Sequence, residues 1–393
     1  MLATQELNIT SEDLNKLTTE FMDAVSGTLP GVERDPGLLV TNEDVRRIKR
    51  YVKGGLELPI DEKEIEQIHK LDQLNISGLK SADLQLLFMK MKDHAGTWSA
   101  LESSMKAVGS DLHVFSDNIT SNCTAIIEYL KTLPSYVSGV GKIGGLPPEE
   151  IDKLPEIILT GEEKKKIPTL LELVDELKIV ITAHSQSTKL TKTAITDFKH
   201  GITNIIKPEL GLKITLCNSQ NFSDEIKQYN QRLDVINARI DQKNAEIAEY
   251  SRNKWWGVIG GVVGFIITSS IYGSKAQQAR NELDQLTDER RDIEKKLATT
   301  NTFLASLLAF ETNLQDLQVR VEGASGSSSN LESLWELIQA YVESSSKRLD
   351  GVTNAMYLVS FVSRLTSMTE NWKAIKKQAG DLLTAFNNAS HES

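Results

Sequence analysis

The chain has few of the residues that would indicate a disulfide-stapled, metal-bound or nucleic-acid-binding protein. Its 393 residues include only two cysteines, Cys123 and Cys217, too few for a disulfide framework and too sparse for a zinc site, so we expect ordinary buried thiols. The nine prolines lie mostly in a few loops, which favours long uninterrupted helices. The net charge of −10 argues against binding along a nucleic acid, where clustered Lys and Arg are needed.

The sequence signatures of enzyme sites are also missing. The six histidines are dispersed, and the chain has neither a Gly-x-Ser-x-Gly nor a His-Glu-x-x-His motif. The stretch from Gly139 to Gly144 matches Gly-x-Gly-x-x-Gly, but prolines on both sides predict a loop, part of a longer one over 134–168. We therefore predict that the protein is not an enzyme and holds no cofactor or metal.

Apolar residues recur at spacings of three and four over long stretches, which indicates long helices packed side by side. The main stripes run over 84–126, 170–205, 226–250, 279–321 and 331–382. Helices of this length cannot form a sphere, so we predict an all-α, elongated bundle of long antiparallel helices. Such stripes indicate core packing and carry no functional information by themselves.

Breaks in the pattern predict three parts. Residues 1–217 are the N-terminal part of a helical tail bundle, and residues 323–393 form a C-terminal helix that returns to it. Residues 218–322 form a coiled-coil hairpin neck with an apolar head at 253–275. Within this plan, Lys207-Pro208 is expected to break a helix, and Gly323 to Ser329 is predicted to be a flexible joint before a helix capped by Asn330.

One segment of twenty residues, Trp255 to Ser274, carries no charge. It would rise about 30 Å as a helix, the thickness of the hydrocarbon core of a bilayer, and it has aromatic residues at both ends. We predict that its aromatic and branched aliphatic side chains bind a membrane: Trp255, Trp256, Val258, Ile259, Val262, Val263, Phe265, Ile266, Ile267, Ile271 and Tyr272. Flanking basic residues are predicted to meet anionic headgroups: Arg252, Lys254 and Lys275.

The segment is rich in glycine and hydroxyl residues, which suits conditional insertion better than a permanent anchor. Glycines four residues apart allow close helix packing in lipid, as in a straight span. Gly260-Gly261 would instead let the chain reverse and form a helical hairpin tip. A straight span puts the arms on opposite sides of a membrane, whereas we expect the arms 222–252 and 275–322 to pair antiparallel about Gly264.

The stretch from Asn253 to Gly264, set between heptad arms, resembles the A component of the alpha-xenorhabdolysin family of binary toxins, within the cytolysin A-like α-pore-forming toxins. The resemblance covers the whole architecture, and its specific part runs from Ile226 to Leu297. It implies a soluble bundle whose apolar head, Trp255 to Tyr272 here, binds a target cell membrane. It also implies a B component with which this one assembles into a hetero-oligomeric, cytolytic ring.

The first residues have neither a basic nor an apolar signal region, so we expect secretion without a classical signal peptide, a soluble form, and then action at a host cell membrane. Two other functions fit the same sequence. A constitutive single-pass membrane scaffold would use the uncharged segment as a permanent anchor and would need detergent. A soluble coiled-coil structural protein would have no membrane role and would not float with liposomes.

Overall fold

A computed structural model describes residues 11–30, 35–69, 76–143, 146–219, 224–252, 256–259, 262–265, 274–299 and 301–391. Within these ranges the chain forms thirteen α-helices, one π-helical turn and one pair of short β-strands. The all-α bundle of long helices predicted from the heptad spacing is confirmed. The two strands are the exception, and they lie inside the predicted head.

Nine helices precede the neck: α1 (Ser11–Val25), α2 (Asn42–Leu56), α3 (Glu62–His69), α4 (Ser81–Leu130), α5 (Pro134–Ile143), α6 (Pro148–Ile151), α7 (Gly161–Lys164), α8 (Ile167–His200) and α9 (Lys207–Asn218). The remaining elements are α10 (Asp224–Arg252), β1 (Trp256–Ile259), β2 (Val262–Phe265), α11 (Ser274–Ala298), α12 (Thr302–Leu349) and α13 (Ala355–His391). Thr41 caps α2, because its hydroxyl accepts the Asp44 N–H at 3.1 Å and its own N–H donates to the Asp44 carboxylate at 2.9 Å.

The body of the bundle consists of α4, α8, α12 and α13, which pack along their lengths. The longest, α4, has 50 residues and is therefore about 75 Å long. At the centre, the Phe115 ring lies 4.7 Å from both Trp335 and Trp372, between centroids, in edge-to-face geometry. The Trp335 indole N–H donates to the Thr188 hydroxyl at 2.8 Å, so this large side chain is buried with its polar atom satisfied.

The rod formed by α8 and α9 passes the predicted break at Lys207-Pro208 without interruption. A π-helical turn, Gly201–Ile206, joins the two helices, and Pro208 lies in the first turn of α9, where a missing N–H is tolerated. A Cβ on Gly201 would lie 2.5 Å from the His94 ring, so glycine allows this close packing. The predicted break is therefore wrong, because the wider turn accommodates the proline.

The predicted flexible joint at Gly323 to Ser329 and the cap at Asn330 are also wrong. Helix α12 runs straight through both, and most of the small residues there are buried. Small side chains let neighbouring helices approach; a Cβ on Gly323 would lie 2.5 Å from a guanidinium nitrogen of Arg280. The division into three parts stays a prediction, and its second boundary falls inside α12.

The break between the last two helices comes later than the sequence predicts. Helix α12 ends at Leu349, and Gly351 adopts a left-handed φ of 77°, which glycine reaches without strain. The Asn354 side chain then accepts hydrogen bonds from the N–H groups of Ile157 and Met356, at 3.1 and 3.0 Å. The region 134–168, predicted as a loop, contains α5, α6 and α7, and α5 includes Gly139.

Glu163 holds the junction of α5 and α7 together. Its carboxylate accepts four hydrogen bonds, from the N–H and hydroxyl of Ser135 at 2.8 and 2.7 Å and from those of Thr160 at 2.8 Å each. The residue is only 3 % exposed. Burial alone would raise its pKa, but the four hydrogen bonds outweigh burial and lower the pKa to about 2.

We expect Glu163→Gln to lower the free energy of unfolding by about 1–3 kcal/mol at neutral pH, because an amide cannot accept all four bonds. The stabilisation by the ionised carboxylate is fully present above its unfolded-state pKa near 4.5 and is lost as pH falls towards 2. Denaturant unfolding of parent and variant from about pH 7 to pH 3 tests this. A difference that does not shrink below about pH 4.5 would contradict the role of the ionised form.

Candidate membrane-binding site

The neck is a helical hairpin of α10 and α11. Ion pairs across it join an early residue of one arm to a late residue of the other: Lys243 with Glu282 at 2.8 Å, and Arg232 with Glu289 at 3.6 Å. The predicted antiparallel pairing of the arms is therefore confirmed for α10 and α11. Both helices contribute a narrow row of buried apolar side chains: Leu233, Ile236, Ile240 and Ile247 on α10, and Ala279, Leu283, Leu286, Ile293 and Leu297 on α11.

The second arm does not continue to 322, as the heptad pattern predicts. Helix α11 ends at Ala298, and the Asn301 side chain caps α12 by accepting the Leu304 N–H at 2.9 Å. Helix α12 then runs back along α11, so Glu294 meets Thr312 and Asp284 meets Arg320. The hairpin consequently lies against the body of the bundle, because the chain folds back after α11.

The head contains a two-stranded antiparallel β-hairpin. Trp256 pairs with Phe265, and Ile259 pairs with Val262, so the chain reverses between Ile259 and Val262. This reversal agrees with the predicted hairpin topology and excludes the straight span for this structure. The helical form of the tip was the wrong prediction, because β-branched residues favour strands and glycines weaken a helix by about 1 kcal/mol each.

The structure places only part of the predicted membrane-binding set. Strand β1 includes three of its members (Trp256, Val258 and Ile259), and β2 includes three more (Val262, Val263 and Phe265). Arg252 is the last residue of α10, and Lys275 lies in the first turn of α11. The other members lie outside the described residues: Trp255, Ile266, Ile267, Ile271, Tyr272 and the flanking Lys254.

The described residues include neither a membrane-spanning helix nor a metal-binding cluster. In the part of the chain that the structure describes, no helix combines the length and apolar character needed to cross a bilayer. The same ranges contain no group of three or more His, Cys, Asp or Glu side chains placed to hold a metal ion.

Both cysteines are buried and free, as predicted, and burial raises the pKa of each thiol to about 11.

Sequence reasoning missed two buried charge clusters where α11 meets the body. In the first, Arg320 donates to Asp44 at 2.9 Å, to Asp316 at 3.1 Å and to Asp284 at 2.5 Å, and Arg47 lies 3.0 Å from Asp284. This cluster joins α11 to α2 and α12. Burial raises the pKa of Asp284, and the two arginines offset it only in part.

The second cluster surrounds Arg290, whose side chain is 0 % exposed. Its guanidinium donates to Gln315 at 2.7 Å and Asn237 at 2.6 Å, and it pairs with Glu294 at 3.1 Å and with Glu311. Here too, burial raises the pKa of Glu294, with Arg290 opposing it. One signal was present in the sequence, since Arg290 occupies a position in an otherwise apolar heptad stripe.

No family model and no curated protein matches the chain. Among solved structures, soluble SmhA of the tripartite α-pore-forming toxin Smh from Serratia marcescens is 12% identical, with 98% of this chain and 97% of that chain covered and a TM-score of 0.54. The HblL1 toxin component of Bacillus cereus is 13% identical, with 88% and 94% covered and a TM-score of 0.54. YaxA from Yersinia enterocolitica is 25% identical, with 90% and 98% covered and a TM-score of 0.48.

The chain has the fold of α-pore-forming toxin components. This conclusion rests on SmhA and HblL1, whose similarity to the chain extends over most of both chains. The fold implied by the resemblance of residues 226–297 to cytolysin A-like toxins is thereby confirmed. The likeness does not identify individual membrane-binding residues, so those remain a prediction.

The register of the hairpin is open to a direct test. We expect Ile247→Cys paired with Ala279→Cys to form a disulfide under mild oxidation, because both positions are buried in the seam at matching distances from the head. Ile226→Cys paired with Ala279→Cys is the matched control and should stay reduced, since Ile226 lies at the far end of α10. Non-reducing electrophoresis measures both pairs, and cross-linking of the control pair alone would exclude the observed pairing.

Proposed function

We propose that this protein is a component of an α-pore-forming toxin. It binds a target cell membrane through its head at 253–275 and assembles with a second component into an oligomeric, cytolytic pore. The observation that supports this most directly is the charge-free β-hairpin at the end of a helical hairpin, on a fold shared with SmhA. The protein acts by permeation of the membrane and not by catalysis, and it is released in soluble form.

Composition supports the membrane role of the head. Charged residues make up 25% of the chain, yet none occurs between Lys254 and Lys275. At that average, a run of twenty uncharged residues is improbable in a solvated turn, and a turn between two helical arms needs only a few residues. The flanking Arg252, Lys254 and Lys275 would remain at the level of the headgroups while the segment between them enters the apolar layer.

The β-hairpin also indicates why a second component is needed. A two-stranded ribbon satisfies backbone hydrogen bonds only on its inner edges, and the outer N–H and C=O groups have no partner within the ribbon. Unpaired backbone groups cost several kcal/mol each in hydrocarbon. We infer that a head entering the bilayer either becomes helical or pairs with neighbouring heads. SmhA belongs to a tripartite toxin, which supports a multi-component assembly here.

A charge in the centre of the head should abolish membrane binding and leave the bundle folded. Val263→Asp places a carboxylate on β2, with an expected insertion cost of about 2.5–3.5 kcal/mol, or roughly a hundredfold in partitioning. Liposome flotation and thermal unfolding of the same variant are the two measurements.

Val235→Asp is the matched control, because Val235 is on α10 in the same hairpin but is 62 % exposed to solvent. It should bind liposomes as the parent does. A large drop in melting temperature for Val263→Asp would show that the segment belongs to a packed core. Equal flotation of Val263→Asp and the parent would show that the head does not enter lipid.

Assembly should depend on membranes or a partner. An apolar head that is exposed on every monomer invites aggregation, so we expect it to be partly shielded in solution and the protein to be monomeric at low concentration. Sedimentation of the protein alone, with vesicles, and with a candidate B component should show larger species only in the last two samples. One unchanged species in all three would contradict assembly into a pore.

A further inference from the structure

Helices α2 and α4 leave a groove beside the point where they approach most closely. A Cβ on Gly55 would lie 2.7 Å from the Cβ of Ala95, so the two helices touch there. One residue further along α4, the groove opens to a volume of about 490 Å³, which is within the range of small-molecule sites. Residues that line the groove include Lys49, Val52, Lys53 and Leu56 of α2 and Gly96 and Trp98 of α4.

Gly96 keeps this groove open. It lies in the interior of the 50-residue helix α4, where glycine weakens a helix relative to alanine. Gly55 and Gly201 have close neighbours that a side chain would strike, whereas a Cβ on Gly96 would meet nothing within 4 Å. Among the described residues, none therefore requires glycine at this position by close packing, and its effect is to leave the floor of the groove free.

Trp98 adds a polar atom that lacks a partner. The residue is only 3 % exposed, and its ring packs against Phe198 with 5.8 Å between centroids. Its indole N–H is buried and has no acceptor among the described residues. A buried donor without an acceptor is costly, so a bound molecule that offers an oxygen atom to Trp98 would remove a penalty that the protein alone carries.

The charges of the groove favour an anion. Lys49 and Lys53 lie one turn apart on α2 and both line it. Glu57 and Glu102 also line it, but Glu102 pairs with Lys106 at 2.9 Å, and Glu57 is exposed just after the end of α2. With that pair counted as neutral, two lysines face one glutamate. The groove is therefore locally positive on a chain whose net charge is −10.

We propose that this groove binds an amphipathic anion, a molecule with one carboxylate or phosphate head on an unbranched apolar chain. The head accepts hydrogen bonds from the ammonium groups of Lys49 and Lys53 and from the indole N–H of Trp98. The apolar chain lies along Val52 and Leu56, and it covers Leu56, which is 45 % exposed in the free protein. The site is on the body of the bundle, so it does not depend on the proposed toxin function.

Equilibrium dialysis of the full chain with decanoate, decyl phosphate and decanol, each below its micelle concentration, measures binding. We expect a saturable site for at least one of the two anions, and the tighter anion identifies the head group. Decanol should bind at least about tenfold more weakly, because an uncharged head loses the charge-assisted hydrogen bonds. Equal binding of the alcohol would overturn the proposal, as would the absence of saturable binding by both anions.

Nuclear magnetic resonance of isotopically labelled tryptophan side chains locates the bound anion. The five tryptophans give five indole N–H signals, and the signal that disappears in Trp98→Phe belongs to Trp98. This signal should move downfield when the anion is added, because the indole gains an acceptor. An anion that moves only the signals of Trp255 and Trp256 binds to the predicted head instead, and that result would overturn the site between α2 and α4.

Filling the groove should prevent binding without loss of the fold. Gly96→Leu should weaken binding of the anion at least about tenfold, because its side chain occupies the floor of the groove. It should melt at or above the temperature of the parent, since leucine favours a helix more than glycine does. Gly211→Leu in α9 is the matched control, because a Cβ there also meets nothing within 4 Å and Gly211 does not line the groove.

A charge reversal tests the same site by another route. Lys53→Glu should weaken binding at least about tenfold, whereas Arg50→Glu makes the same change in net charge at an exposed residue of α2 outside the groove and should bind as the parent does. Parent affinity in both Gly96→Leu and Lys53→Glu would show that the anion binds elsewhere. If Gly96→Leu does not fold, Lys53→Glu and its control decide the proposal.

Discussion

The architecture depends on the coverage of α12, which is surrounded by other helices over most of its 48 residues. A helix in that position must offer every neighbour a surface that fits, and α12 does so differently along its length. Its middle is a run of small residues from Gly323 to Ser328, which lets α8 and α11 approach closely. On one side of that run the contacts of α12 are apolar, and on the other side they are polar and charged.

Towards its C-terminus, α12 supplies Trp335 to the aromatic cluster with Phe115 and Trp372, which joins α4, α12 and α13. Such an apolar contact is hard to hydrate, so it stabilises the packing of these three helices. Towards its N-terminus, α12 offers Glu311, Gln315 and Arg320 to the hairpin. One half of α12 thus packs through apolar contacts, and the other half packs through polar and charged contacts, which water can replace.

Heptad spacing predicted the helices well but not how they follow one another. A stripe that continues through Leu297, Thr300 and Leu304 is the same whether the two helices are collinear or folded back, because both arrangements bury the same side chains. Composition misled at Gly323 to Ser329, where small residues serve close packing and not flexibility. At Pro208 the missing element was a π-turn, which begins at Gly201, where the lack of a side chain leaves room for the ring of His94, distant in sequence.

The head shows the same limit on a smaller scale. Its glycine content and β-branched residues both pointed away from a helix, yet its length of one hydrocarbon thickness favoured a helical interpretation. Length is a requirement of the membrane, whereas strand preference is a property of the chain in water, and the structure follows the latter. The length requirement applies only inside a membrane, so in water the strand preference decides the conformation of the head. In hydrocarbon the unpaired outer edges of a two-stranded ribbon are no longer tolerable, so the same sequence must then satisfy its backbone in another way. A head that prefers strands in water but must pair all its backbone groups in lipid has to change its backbone hydrogen bonding when it enters the membrane. This change requires no charged residue within the head itself.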